Sequence, residues 1–407
     1  MISATEFKAV RNKTSINREK LVEATTSLVN YCRKNKWEGY DPYDALNSRL
    51  FSYTPFIKSR VCRIVFTQVM KRLPINIRPL LLIDKEQNAK AIALFLMAGI
   101  KLNKIKMLDR RDFISAMTER VTALRSPNIS YWCWGYSFPW QTRTVLVPRG
   151  APNLVCTTFV ANALLDAFEE TGEAKHLDMA VSAGEYFLDE LYWTDGDAMT
   201  SFSYPLPTSR SRVHNANFLA AALLARIYNI TDEKKFLGPA LGAARYSAGR
   251  QRDDGSWNYG EITAQRWVDN FHTGYNLCAL RSIGEYTGTK EFDGNIRRGF
   301  NFYRKNFFTK DGAPKYFHAK AYPFDIHSAA QSIITLLKLK DLDENNLDLA
   351  HSVFQWAMNE MRDKNGYFYY QVLPFLKNKI SYMRWSQAWM LMASSMLLEY
   401  SGPVAYS

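Results

Sequence analysis

Residues 267–277 read Trp-Val-Asp-Asn-Phe-His-Thr-Gly-Tyr-Asn-Leu and pass from a polar, aromatic loop into an apolar helix that continues to Ile283. Asp269, His272 and Tyr275 lie at the start of that helix. Unpaired backbone N–H groups and the positive end of the helix dipole make such a start a suitable place for a ligand. Asp269 can equally well serve only as the N-cap of the helix. The stretch decides the fold because the same order, a polar aromatic loop followed by an apolar helix, recurs along the chain.

The repeat consists of an apolar helix, an amphipathic helix, a turn and an aromatic loop. The apolar helices are predicted to begin near Asn88, Asn153, Asn215, Asn270, Ile326 and Trp385, at intervals of 65, 62, 55, 56 and 59 residues. Amphipathic helices are predicted between them, at 112–124, 176–193, 233–250, 291–308 and 347–362. Four of these end in an Asp-Gly or Asn-Gly turn, completed by Gly196, Gly255, Gly312 and Gly366.

Six hairpins of this kind, with buried inner helices and amphipathic outer helices, can close into a ring. An open solenoid is disfavoured because solenoid helix pairs take about 34 to 47 residues, fewer than the units here. The sequence therefore predicts an all-α protein, an (α/α)6 toroid at residues 88–407 with short β-ribbon loops at its mouth. Residues 1–87 are predicted to form a basic helical extension packed on the main body.

The positive charge is concentrated in the N-terminal third of the chain. The sequence has 52 Lys and Arg against 39 Asp and Glu, and residues 1–126 hold 24 basic against 11 acidic side chains. This asymmetry indicates an anionic partner. A basic amphipathic segment, Lys58 to Ile83, can lie on an anionic membrane surface or pack on the body with a solvated face. No nucleic-acid-binding motif is present, so nucleic acid is not expected.

The five cysteines are scattered and lack CxxC spacing, which favours reduced thiols, a cytoplasmic location and no structural metal site. No cofactor is expected either. The longest apolar runs are too short to span a bilayer.

Loops that precede the inner helices of a ring emerge at one end, so their polar residues are predicted to meet at one mouth. Four of the six histidines fall in these loops, and His beside Asp is the usual material of proton transfer. The candidate catalytic residues are Asp269, His272, Asp325, His327, His214 and Tyr275. The candidate substrate-binding residues are Trp132, Trp134, Tyr136, Arg143, Asn215, Trp257, Tyr259, His318, Arg384 and Trp385.

The repeat over Asn88 to Tyr400, the segment 252–257 (Arg-Asp-Asp-Gly-Ser-Trp) and the aromatic loops resemble the (α/α)6-toroid carbohydrate-active proteins. This group includes unsaturated glucuronyl hydrolases, N-acylglucosamine 2-epimerases, and the helical domains of polysaccharide lyases and glucuronyl C5-epimerases. The resemblance implies a carbohydrate-active protein. Aromatic faces that stack on sugar rings, with Asn, Gln, Asp and Arg for hydroxyls and carboxylates, fit the same substrate class.

Three hypotheses follow for an acidic, uronate-containing oligo- or polysaccharide. Hydrolysis by paired carboxylates comes first, because Asp269 and Asp325 begin neighbouring helices whose axes should lie about 8–10 Å apart, compatible with an inverting carboxylate separation of about 6.5–9.5 Å. A lyase or epimerase would use a His or Tyr base, with Arg384 neutralising the substrate carboxylate. The third hypothesis is a non-catalytic glycan-binding or scaffold protein in polysaccharide biosynthesis.

Overall fold

A computed structural model describes residues 18–108, 110–196 and 199–401. In chain order its helices are α1 (Arg18–Lys34), α2 (Arg49–Ser52), α3 (Arg60–Arg72), α4 (Ala89–Lys104), α5 (Arg110–Ala123), α6 (Leu154–Thr171), α7 (Ala174–Tyr186), α8 (His214–Thr231), α9 (Leu237–Ala248), α10 (Asn270–Thr287), α11 (Asp293–Asn306), α12 (Ile326–Lys338), α13 (Asn346–Met361) and α14 (Trp389–Tyr400). A π-helical turn, Phe187–Leu191, follows α7, and another, Met383–Ala388, precedes α14.

The six inner helices α4, α6, α8, α10, α12 and α14 form a closed ring. Each packs against the next, and α14 packs against α4. They are buried on nearly every face, as expected for helices that face the interior of the ring on one side and pack against outer helices on the other. Side chains of Asn88, Asn153, Asp269 and Asp325 cap four of them. The predicted all-α (α/α)6 toroid is confirmed.

The helix α1 occupies the position of the sixth outer helix. It packs against α14, just as α5, α7, α9, α11 and α13 pack against their inner partners. Gly366, in the turn after α13, lies against the backbone of Ser27 in α1. Gly255, after α9, lies in the same way against α11, and Gly312, after α11, lies against α13. In each case the turn contacts the outer helix that follows it in the ring. The chain thus closes the ring with its N-terminal part, and the boundary drawn at residue 87 stays a prediction.

Short β-ribbons join the helices. The strands are β1 (Trp140–Gln141), β2 (Leu146–Val147), β3 (Tyr192–Asp195), β4 (Met199–Phe202), β5 (Lys315–Phe317), β6 (Lys320–Asp325), β7 (Gln371–Val372) and β8 (Lys377–Asn378). They form antiparallel pairs β1–β2 and β3–β4 and a four-stranded antiparallel sheet in the order β5-β6-β7-β8. The strand β6 ends at Asp325, where α12 begins, so the sheet positions the start of an inner helix.

Residues 35–87 form a lobe beside the ring. Ala45, Met70 and Ile83 make a small separate core, and Arg78 is fully buried against Asp44. The segment predicted as one basic amphipathic unit, Lys58 to Ile83, is helical only in α3. Its apolar side chains do not all face inward, because only Thr67 and Met70 are buried in that helix. Among the described residues, no helix is long and apolar enough to cross a membrane.

Candidate functional site

A cavity of ≈ 490 Å³ opens at the end of the ring where the inner helices begin. Its walls come from the loops before the inner helices, from the helix starts and from the lobe of residues 35–87. The lining residues are Tyr43, Lys71, Lys90, Tyr136, Phe138, Trp140, Val155, Tyr204, Asn215, Tyr259, Trp267, Asp269, Phe271, His272, Tyr275, Tyr316, Phe317, His327, Arg384 and Trp385.

Asp269 and His272 form a hydrogen-bonded pair on the cavity wall. Asp269 caps α10 by accepting the backbone N–H of His272 through Oδ1 at 3.0 Å. Its Oδ2 lies 2.8 Å from Nδ1 of His272 and also accepts the indole N–H of Trp267 at 3.1 Å. The carboxylate therefore orients the imidazole with Nδ1 toward Asp269. This leaves Nε2 of His272 without a protein partner among the described residues and available to a ligand.

His327 and Tyr275 form a second pair in the same cavity. Nε2 of His327 lies 2.6 Å from the Tyr275 hydroxyl. The imidazole stacks between Phe271 and Trp389, with ring centroids 4.6 and 4.5 Å away. Burial lowers the pKa of His327 well below its ordinary value, so the ring is neutral near pH 7. Burial raises the pKa of Tyr275 well above its ordinary value, which keeps the phenol protonated.

The ring of Phe271 contacts both imidazoles. Its centroid is 4.2 Å from that of His272 and 4.6 Å from that of His327. The centres of the two imidazoles are therefore separated by no more than the sum of these distances. Both side chains line the same cavity.

Lys90 lies on the floor of the cavity without a carboxylate partner among the described residues. It is 3% exposed, and its ammonium lies over Phe159, with Nζ 4.0 Å from the ring centroid, and near Trp389 and Tyr275. Burial, with a smaller effect from Arg384, lowers the pKa of Lys90 well below its ordinary value. Cation–π contacts compensate only part of the lost hydration.

The two other basic side chains of the cavity differ in their partners. Arg384 makes a bidentate ion pair with Asp41, with Nε–Oδ2 and Nη2–Oδ1 distances of 2.6 and 2.8 Å. Its charge is thus already neutralised within the protein. Lys71 donates to the Tyr43 hydroxyl at 2.7 Å and has no carboxylate within 4.0 Å in the described part of the chain. Lys71 is therefore available to an anionic group of a ligand.

Aromatic rings and unpaired polar atoms make the rest of the wall suitable for a polyhydroxylated ligand. Tyr259 and Trp267 stack with a centroid distance of 4.5 Å and an interplanar angle of 12°. Three side-chain atoms are buried without a hydrogen-bond partner in the described part of the chain: Oδ1 of Asn215, the indole N–H of Trp140 and Nδ1 of His327. Buried polar groups are normally paired, so these three atoms are candidates for contacts with a ligand.

The structure does not support Asp325 as the second carboxylate of a hydrolytic pair. Its Oδ1 accepts the backbone N–H of His327 and the indole N–H of Trp385, both at 2.9 Å, and its Oδ2 accepts from Gln371 at 2.7 Å. The side chain is fully buried and does not line the cavity. The hypothesis of hydrolysis by Asp269 and Asp325 therefore gains no support from this cavity, because Asp325 lies behind the wall and accepts from Trp385.

The other predicted residues divide into two groups. Tyr136, Asn215, Tyr259, Arg384 and Trp385 line the cavity with Asp269, His272, Tyr275 and His327. The remaining predicted residues lie elsewhere. Trp134 and Trp257 are core residues whose indoles donate to backbone carbonyls, Trp132 lies beside Arg125, Arg143 is exposed, His318 packs against Phe302, and His214 is bonded to Ser247 in a separate surface groove.

The sequence analysis missed Lys90 and Lys71. Lys90 is a basic residue in the first turn of an otherwise apolar inner helix, where the helix dipole disfavours a cation, and this was the available signal. Lys71 gave no comparable signal, because it is one of several basic residues in its segment. Among the described residues, no group of three or more His, Cys, Asp or Glu side chains could hold a metal ion.

The chain is similar in fold to several carbohydrate-active proteins. Cellobiose 2-epimerase from Bacillus thermoamylovorans matches with 12% identity over 78% of this chain and 88% of that chain, at a TM-score of 0.61. An α-mannanase of glycoside hydrolase family 76 from Bacteroides thetaiotaomicron matches with 16% identity over 77% and 85%, at 0.58. A polysaccharide lyase matches with 10% identity over 94% and 98%, also at 0.58. These likenesses show the (α/α)6 toroid fold.

Comparison with family profiles and with curated proteins finds no match.

Proposed function

We propose that the protein is an enzyme that moves a proton at a carbon of a uronate-containing saccharide, by epimerisation or β-elimination. The main support for the proposal is that two histidines, His272 and His327, line the same cavity. His272 is oriented by Asp269, and His327 is hydrogen-bonded to Tyr275. Among the described lining residues, Asp269 supplies the only carboxylate, and it is already engaged with His272.

In the proposed reaction, Nε2 of His272 removes a proton from the carbon that carries the carboxylate. Asp269 stabilises the imidazolium that forms, because its Oδ2 lies 2.8 Å from Nδ1. The hydrogen-bonded pair of Tyr275 and His327 supplies the second proton, which the Tyr275 hydroxyl gives to the substrate. Returning a proton to the opposite face of the carbon gives epimerisation, and protonating a leaving oxygen gives β-elimination.

The substrate carboxylate is assigned to Lys71. A proton beside a carboxylate is removed more easily when a cation neutralises the developing negative charge. Lys71 has no acidic partner among the described residues, whereas Arg384 is neutralised by Asp41. The sequence analysis gave this role to Arg384, and the ion pair transfers it to Lys71. Lys90, on the floor, adds a second basic group, and an anion that binds beside it would raise the pKa that burial lowers.

The activities named for the three similar structures are compatible with the proposed reaction class. The named activities are cellobiose 2-epimerase, α-mannanase and polysaccharide lyase, all on carbohydrates. Hydrolysis requires two carboxyl groups at the bond that is cleaved. The cavity lacks that arrangement among its described residues, and this favours the proton-transfer activities over the hydrolytic one.

The decisive experiment is turnover of a panel of uronate oligosaccharides in deuterated water. Epimerisation introduces solvent deuterium at the carbon, which mass spectrometry and NMR detect, whereas β-elimination leaves that carbon without hydrogen in an unsaturated product, which ultraviolet absorbance detects. His272→Gln and His327→Gln should each abolish both products while the proteins remain folded. Release of reducing ends with neither deuterium at carbon nor an unsaturated product would instead establish hydrolysis. Saturable binding with neither product would identify a glycan-binding protein.

A further inference from the structure

The helix α3 exposes an apolar stripe on the surface of the lobe. Val61, Val65 and Val69 lie one turn apart and are 62%, 54% and 53% exposed. Further apolar side chains of the same lobe are exposed: Leu50, Tyr53, Phe56, Ile75, Leu80 and Leu82. Single exposed apolar residues are common, but a group this dense indicates an interaction site. We call the exposed apolar residues between Leu50 and Leu82 the α3 face.

Packing within the lobe keeps parts of this face together. The ring of Phe51 in α2 stacks on Phe66 in α3, with a centroid distance of 4.2 Å. Ser59 caps α3 immediately after the turn that carries Phe56. The exposed residues before the helix are therefore held against it by the fold.

Basic side chains outnumber acidic ones around the α3 face, where Arg49 pairs with Asp84 and Arg78 pairs with Asp44. Residues 49–83 contain seven Lys and Arg and no Asp or Glu. Lys58, Arg60 and Arg72 are exposed, and none of them has a carboxylate within 4.0 Å in the described part of the chain. These three charges lack internal compensation and attract an anionic partner.

We propose that the α3 face docks the protein on the surface of an anionic lipid bilayer. Basic side chains beside exposed Val, Leu and aromatic residues are the combination that binds the boundary between headgroups and acyl chains. The basic groups are attracted to anionic headgroups, and the apolar groups enter the region below them. Nucleic acid would use the charge but leave the exposed apolar side chains in water.

The same helix contributes to the rim of the cavity. Lys71 of α3 reaches the Tyr43 hydroxyl inside the cavity, and Arg63 donates to Gln141 of β1 at 2.8 Å. On this helix Arg63 and Lys71 point away from the stripe of Val61, Val65 and Val69, so docking through the α3 face would place the bilayer on the side of α3 opposite the cavity. The docking itself does not depend on the reaction proposed above.

Sedimentation of the full chain with lipid vesicles tests the inference. Vesicles of phosphatidylcholine are compared with vesicles that also contain phosphatidylglycerol, at low and high salt. We expect binding to the anionic vesicles at low salt, at least tenfold weaker binding to the neutral ones, and a loss of binding as salt rises. Absence of binding to anionic vesicles at low salt would overturn the proposal.

Variants distinguish insertion of the valine side chains into the bilayer from the electrostatic attraction of a basic protein to anionic vesicles. Val61→Ser/Val65→Ser/Val69→Ser keeps the net charge and should weaken binding to anionic vesicles at least tenfold. Ile262→Ser is the control, because Ile262 is 54% exposed in a different loop, and it should bind like the wild type. Val65→Ser alone should give a smaller loss in the same direction and serves if the triple variant does not fold.

Lys58→Gln/Arg60→Gln/Arg72→Gln should also reduce binding and flatten its dependence on salt. Equal vesicle binding by the wild type and the folded triple serine variant would contradict the docking role. So would a wild-type dimer, measured by analytical ultracentrifugation, that the serine variant converts to a monomer without any change in vesicle binding.

Discussion

Oδ2 of Asp269 lies 2.8 Å from Nδ1 of His272, while Oδ1 of the same carboxylate caps the helix that carries this histidine. The acid thus has two roles that mutation can separate. Asn caps a helix as well as Asp does, but an amide carries no charge to stabilise an imidazolium. The two roles therefore respond differently to a single substitution.

Asp269→Asn should leave the protein folded and lower turnover by about 10²- to 10⁴-fold, the usual contribution of general acid–base catalysis. Formation of the epimerised or unsaturated product measures the loss of turnover, and thermal unfolding measures the stability of the fold. Asp325→Asn controls for the loss of a capping carboxylate outside the cavity, and Trp385→Phe, which removes the indole N–H that Asp325 accepts, controls for its effect on the cavity wall. A folded Asp325→Asn protein with the larger loss of turnover would reverse the assignment.

Tyr275→Phe removes only the hydroxyl that lies 2.6 Å from Nε2 of His327. The cavity keeps its shape, and we expect kcat to fall at least about tenfold with a much smaller change in KM, as for a group that acts in the transition state. A buried polar atom loses its partner, which costs stability by about 1–3 kcal/mol.

Tyr303→Phe controls for that stability cost. Tyr303 is fully buried and donates to Asn270 at 2.9 Å, outside the cavity. It should lose similar stability and keep its kcat. If both variants lose turnover equally, Tyr275 acts only through the stability of the fold.

Lys71→Gln should weaken the binding of an acidic oligosaccharide by about tenfold or more, because a charge-assisted hydrogen bond contributes about 1.5–3 kcal/mol. Binding of a neutral saccharide of the same length should change little. Titration calorimetry at two salt concentrations measures both. Arg72→Gln alters the next residue, which is exposed and outside the cavity, so it controls for the net charge. Equal losses of affinity for the two substitutions would mean that the ligand responds to the net positive charge of the lobe and not to a direct contact with Lys71.

The sequence predicted the inner ring well because the evidence for it is local. Continuous apolar helices preceded by Asn or Asp caps can be recognised in short windows, and the helices that start at Ala89 and Asn270 begin within one residue of the predicted positions. The role of α1 was missed because ring closure joins residues more than 300 positions apart, as in the Glu23–Arg362 ion pair. Periodicity does not show which outer helix fills the last gap.

The site was predicted only in part for a related reason. A loop position predicts that a residue lies near the mouth, but not which way its side chain points. Trp134 and Asn215 both come from mouth loops, yet one indole enters the core and one amide enters the cavity. The apolar stripe of α3 could likewise be recognised in the sequence, but whether it faces solvent depends on how the helix packs against the rest of the lobe.

Gly366→Ala tests the ring closure. Gly366 has a φ of 87°, and an added Cβ would lie 2.9 Å from the backbone oxygen of Ser27 in α1. The left-handed conformation costs a non-glycine residue about 1–2 kcal/mol, and the close contact with α1 adds to that cost. Gly196 has a φ of 67°, and a Cβ added there would meet no atom of the described residues within 4 Å, so Gly196→Ala should show the conformational cost alone. Denaturant unfolding compares them, and equal losses would argue against tight packing of α1 on this turn.

Lys90→Met should stabilise the protein at pH 7 while it lowers turnover. Burying lysine without a carboxylate partner is unfavourable, because the amine must give up either its hydration or its proton, and methionine fills a similar volume without that cost. Burial lowers the pKa of Lys90 in the folded state below its unfolded value of about 10.5. Between these two pKa values the unfolded chain binds more protons than the folded protein, so the stability of the wild type rises with pH. The advantage of the methionine variant should therefore shrink as pH rises toward 10, which urea unfolding at pH 7 and pH 9.5 measures. An advantage that stays constant over this range would mean that Lys90 is not destabilised by its charge.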